Sequence, residues 1–144
     1  MKYTYFRLVL AVLLFLGGWQ IVSAETNELM VRCVAFYNLE NVFDTIHDEG
    51  KNDYEYLPDG GMKWTSLKYT NKIQNMAYAI AQLGTDEDPR GAAIVGVSEV
   101  ENIGCLHDLC KELKEKHNRN YVPILLEGPD RRGIDVGLLY NPDM

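Results

Sequence analysis

The sequence predicts an α/β layer structure. Two apolar runs rich in β-forming residues, 31–37 and 92–98, each stop at an oxygen-bearing side chain, Asn38 and Glu99. Between and after them the apolar period becomes that of a helix, and no internal repeat or low-complexity tract breaks the order.

Residues 1–24 read as a cleavable export signal. Lys2 and Arg7 precede an apolar run over 8–16, and Val22, Ser23 and Ala24 supply small residues for cleavage. A spanning helix needs roughly 20 apolar residues, so no lasting membrane anchor is expected after cleavage. The mature domain is then 25–144, secreted or periplasmic.

Residues 31–37 form the first predicted strand. An irregular acidic stretch follows over 38–65, with Pro58-Asp59-Gly60-Gly61 as a turn and each acid read as solvated. Over 66–83, Tyr69, Ile73, Met76, Ala77, Ile80 and Leu83 fall on one helical stripe, with Gly84 as the C-terminal cap. Residues 92–98 form the second strand. Asn102 caps a helix whose apolar face is Ile103, Leu106, Leu109, Cys110 and Leu113. A third strand spans 121–127, with Pro123 marking an edge or a strand start, and a fourth spans 134–140, where Ile134, Val136, Leu138 and Tyr140 share a face. Strands with two apolar faces need cover on both sides, and only two helices are available, which reads as the opening portion of a larger domain.

Charge narrows the function. Lys2 and Arg7 are the basic residues before position 25, so residues 25–144 carry −9 against −7 for the whole chain. Such a chain has no broad electrostatic footprint for a phosphate backbone, and handling phosphates calls for an added cation. Cys33, Cys105 and Cys110 are an odd set, and a Cys105–Cys110 bridge on one helix is not expected. No zinc-type spacing is present.

If the first two strands are neighbours, Asn38 and Glu99 bring an amide oxygen and a carboxylate to one sheet edge. That set suits magnesium, which takes one or two protein ligands and fills its shell with water and substrate oxygens. The plainer reading makes Asn38 a turn former and Glu99 a helix-start residue. In the loop 128–133, Arg131 or Arg132 can fork onto a phosphate, with Asp135 to orient it; Arg132, beside Gly133, is the choice for substrate binding. The alternative there is a surface ion pair.

Four segments in order, VAFYNLENVFD, DGGMKWTSLKYTNKIQNMAYAI, VGVSEVEN and EGPDRRGIDVGLLYNP, resemble the endonuclease/exonuclease/phosphatase family of metal-dependent phosphoesterases, especially its exported bacterial members. The resemblance implies a four-layered α/β sandwich, of which this chain would be the N-terminal half. It implies catalytic magnesium, or manganese in its place, held by Asn38 and Glu99, with Glu40 in an outer or structural role and Glu101 starting a helix. The substrate would be a phosphate ester: a nucleic acid, a nucleotide, a sugar phosphate or a phospholipid head group. The family's water-orienting Gly-Asp-x-Asn segment and closing Asp-His pair do not occur in these 144 residues, and His47, His107 and His117 read as solvent-facing. A fragment with little activity alone, requiring the missing C-terminal half, is therefore expected. The competing reading is a non-catalytic exported binding module; a calcium-binding acidic surface is disfavoured by the spacing of the acids.

Overall fold

The computed structural model describes residues 30–144, so the expected signal at 1–24 lies outside the described residues. Four strands and two helices follow in the order β1 (Val34–Val42), α1 (Ser66–Gln82), β2 (Ile94–Val100), α2 (Ile103–His117), β3 (Val122–Leu126) and β4 (Asp135–Tyr140). They build one mixed sheet in the order β1-β2-β4-β3. β1 and β2 run parallel with α1 as their crossover, while β4 is antiparallel to both β2 and β3. Pro123 lies in an edge strand, where its missing N–H costs least.

Each helix begins where its sequence provides a cap. Thr65 accepts from the Lys68 N–H, and Asn102 Oδ1 accepts from the Cys105 N–H at 3.0 Å. α2 ends with Lys114, Lys116 and His117 in its last turn and Asn118 in the left-handed conformation, an arrangement that suits the negative end of the helix dipole. Both helices pack on the same side of the sheet. Ile73, Ala77 and Ile80 of α1 and Cys105, Leu106, Leu109 and Leu113 of α2 share one core with Val95, Val97, Val100 and Leu139. Cys105 takes the inward position assigned from sequence to Ile103, which is exposed. Gly137 lets α2 approach: a Cβ there would meet Leu106 Cδ1 at 2.8 Å and Val97 Cγ2 at 3.1 Å.

The other side of the sheet is apolar and open. Paired positions carry Val34 and Phe36 from β1, Ile94 from β2, Val136, Leu138 and Tyr140 from β4, and Val122, Ile124 and Leu126 from β3. Phe36 is 68% exposed and its ring lies across Gly96. The alternation predicted for 134–140 thus faces outward, and Leu139 between those positions enters the core.

Both parallel strands run past their predicted ends, β2 continuing through Glu99 to Val100. The first does not stop at Asn38 but runs to Val42, because Leu39 and Val42 are buried and pull the chain back into the sheet. The acidic stretch after it is tied down. Phe43 stacks on Tyr56 with ring centres 4.0 Å apart, and Trp64 Nε1 donates to the Phe43 carbonyl at 2.7 Å. Asp53, expected to be solvated, is buried and accepts from the Asp48 N–H at 2.8 Å and from His47, which also stacks on Tyr54. His47 is therefore held by the loop and is not simply solvent-facing, whereas His107 is exposed. The three cysteines are free thiols. Among the described residues, no helix is long and apolar enough to cross a membrane.

Candidate functional site

Asn38 and Glu99 mark the point where the two parallel strands, β1 and β2, lose register. β1 and β2 pair regularly as far as Asn38↔Ser98 and resume only at Val42↔Val100, so β1 advances four positions while β2 advances two. The turn is made by residues with positive φ: Glu40 at 55°, Asn41 at 61° and Glu99 at 61°. Such values are uncommon for residues with a side chain and cluster where structure around them holds a site in shape. Glu99 also breaks the pairing of β2 with β4, between Ser98 and Val100.

The double bulge turns two side chains toward each other. Asn38 Nδ2 donates to Glu99 Oε1 at 3.0 Å, and Asn38 Oδ1 accepts from the Glu40 N–H at 2.7 Å. Lys72 reaches over from α1 and donates to the Glu40 carbonyl at 2.8 Å. Burial lowers the basicity of this amine, against the opposing pull of the Glu40 and Glu99 carboxylates. Arg132 approaches from the other side, with Nη1 donating to Asn41 Oδ1 at 3.2 Å.

The loop after β3 orients Arg132 differently from the sequence expectation. Asp130 accepts the guanidinium fork, from Nε at 3.3 Å and Nη2 at 3.2 Å, while Asp135 is buried and accepts the Gly128 N–H at 2.6 Å. Asp135 therefore braces the loop and Asp130 positions the arginine. A cleft of about 390 Å³ runs from Ser98 and Glu99 past Pro129 and Asp130 to Val136.

This arrangement suits a hard divalent cation with few protein ligands. Glu99 Oε2 accepts no hydrogen bond among the described residues, and Asn38 Oδ1 keeps one lone pair beyond its bond to Glu40. One carboxylate and one amide oxygen at an open rim leave the remaining positions to water and substrate.

A second group of ligand-type atoms lies deeper. Oxygens of Asp44 and Glu101 and the Cys105 sulfur fall within 4.8 Å of one another. Glu101 Oε2 accepts from the Asp44 N–H at 2.7 Å, and Asn102 Nδ2 donates to Asp44 Oδ2 at 3.1 Å. Burial pushes the Glu101 carboxyl up to about 8 and the Cys105 thiol up to about 12, disfavouring their charged forms, and a thiol is a soft donor that suits a hard cation poorly. Glu101, a helix-start residue by its place in the sequence, also ties the end of β2 to the chain leaving β1. Regular strand geometry would put Glu99 and Glu101, two apart, on one face, and it is the bulge at Glu99 that sends them to different places, which the sequence does not signal.

Residues 33–144 match the model of a protein family described as the endonuclease/exonuclease/phosphatase family. No curated protein and no solved structure gives a significant match.

Proposed function

We propose, because the chain belongs to the endonuclease/exonuclease/phosphatase family, that it is an exported, magnesium-dependent phosphoesterase acting at the rim where Asn38 and Glu99 meet. The observation that carries this reading is their 3.0 Å contact at a double strand bulge, with a carboxylate oxygen left free and two cations nearby. Glu99 and Asn38 would hold the metal, which when bound supplies positive charge to a phosphoryl oxygen. Manganese would substitute, since it favours the same carboxylate, carbonyl and water ligands.

The chain's own residues then have separate tasks. Asn38 fixes one Glu99 oxygen through its amide N–H, leaving the other turned to solvent. Arg132, held by Asp130, presents donors beside Glu99 and binds a phosphate oxygen of the substrate. Lys72 adds charge from α1 and pins the Glu40 carbonyl, which holds the bulge in shape.

The open apolar side of the sheet favours the four-layered sandwich, with a second sheet lying on Phe36, Ile124 and their neighbours. Residues that orient the attacking water would come with that second half, so the present 144 residues bind metal and phosphate but turn over slowly or not at all. Residues 1–24 would direct the protein out of the cytoplasm and be removed there.

The test is calorimetric titration of magnesium into the purified chain and its Glu99→Gln variant, alongside a panel of phosphoesters assayed on a C-terminally extended chain with magnesium or a chelator. Saturable binding lost in the variant, and hydrolysis lost with the chelator, support the reading. Metal-independent hydrolysis, or equal magnesium affinity in the variant, overturns it.

A further inference from the structure

A second cleft, of about 440 Å³, lies beyond the one at Glu99. Lys51 and Asn52 of the loop after β1 form one wall, and Pro129, Asp130 and Arg131 form the other. The Asn52 N–H donates to the Arg131 carbonyl at 2.8 Å, fixing the spacing of the walls. The Gly128–Asp130 segment borders both clefts, so the two adjoin along it.

Arg131 is unlike the other described arginines. Arg32 and Arg90 bind Asp88, Arg119 binds the carbonyls of Ala81 and Pro89, and Arg132 binds Asp130 and Asn41. Arg131 alone among the described arginines makes no side-chain hydrogen bond or ion pair, and the Lys51 ammonium makes none either. Asp130 is the carboxylate in the cleft, and its hydrogen bonds from Arg132, with a smaller pull from Lys51, hold it below its ordinary value. The cleft is therefore net cationic in an acidic chain. Lys51 is also positioned: its stem lies over Gly133, where a Cβ would meet Lys51 Cγ and Cδ at 3.2 Å. Gly133 has φ +92°, a conformation that disfavours any larger residue. An arginine without a protein partner and a nearby lysine, both facing a concave site, suit a multiply charged oxyanion, which an arginine fork and a lysine point charge bind together.

We infer that Lys51 and Arg131 form a second phosphate-binding site, and that the substrate acted on at Glu99 carries another phosphate that lodges there. The inference rests on the functional reading above and deepens it: a bisphosphorylated compound is preferred over its monophosphate.

The site itself is tested without metal. In ¹⁵N NMR of the full chain with chelator present, inorganic phosphate should shift the amides of Lys51, Asn52, Arg131 and Gly133 saturably. The Lys51→Met/Arg131→Met double variant should bind at least about fivefold more weakly, and Glu99→Gln should bind as the parent does. Absence of those shifts, or equal binding by the double variant, overturns the site. With magnesium present, adenosine 3′,5′-bisphosphate should bind at least about tenfold more tightly than adenosine 5′-monophosphate, an advantage lost in the double variant. Equal affinities overturn the second-phosphate assignment and leave a site for free phosphate only. Because the metal-free arm is independent of Glu99, phosphate binding there with no magnesium uptake would count against the phosphoesterase reading and not against the cleft.

Discussion

Asn38 and Glu99 touch across two parallel strands at the one place where both strands slip register, the amide nitrogen 3.0 Å from a carboxylate oxygen. The contact leaves each residue a separate job. Glu99→Gln should lower magnesium affinity by roughly tenfold or more, because the ion loses its charged partner. Asn38→Ala should cost roughly 10 to 100-fold, because the carboxylate is no longer held. Calorimetry on both variants checks this, and Asn38→Ala binding as tightly as the parent would remove the orienting role.

Glu101 should tolerate the loss of its charge but not of its shape. As a buried neutral acid it accepts from the Asp44 N–H, and glutamine can do the same. Glu101→Gln should stay within about 1 kcal/mol of the parent, while Glu101→Ala should cost about 1–3 kcal/mol by leaving buried donors unmet. Urea unfolding measures both, and equal losses would rule out the neutral-acid account.

Gly137→Ala should destabilise the fold by about 1–3 kcal/mol, since the added methyl has no room between β4 and α2. Gly61→Ala, whose Cβ meets nothing closer than 3.6 Å, is the control. Thermal melts of the pair should differ clearly; matching midpoints would mean that α2 can shift outward at little cost.

Asp88 should set part of the acid limit. The Arg90 side chain and N–H hold its carboxyl down at about 2, with Arg32 adding to the pull. A folded value below the unfolded one means that the stabilisation is present above about pH 4 and disappears as the pH falls toward about 2. Asp88→Asn should therefore melt below the parent near neutrality, and the gap should close on acidification. A gap that stays constant from pH 6 to about 2 would assign the effect to packing.

Much of the fold was legible because periodicity reports which side of an element is apolar. The stripe from Tyr69 to Leu83, Gly84 after it and the cap Asn102 lie where their chemistry requires, whereas the cap Thr65 emerges only from the structure. What periodicity does not report is which apolar side meets the helices: Val136 and Leu138 alternate as cleanly as any core strand and face outward. The site was half legible. Asn38 and Glu99 stand out as polar ends of apolar runs, but the bulge that joins them depends on backbone angles at Glu40, Asn41 and Glu99 that no residue type announces. Lys72 is a helix residue whose role appears only once α1 crosses the bulge, and the exchange of Asp135 for Asp130 as the partner of Arg132 depends on how a short loop turns.

The backbone at this rim sets durability against chemistry within a few residues. Glycine would sit more comfortably than Glu40 or Glu99 at their φ values of 55° and 61°, by about 1 kcal/mol each. A variant chosen purely for heat tolerance would therefore drift toward glycine at position 99, and it would become sturdier as the carboxylate vanished.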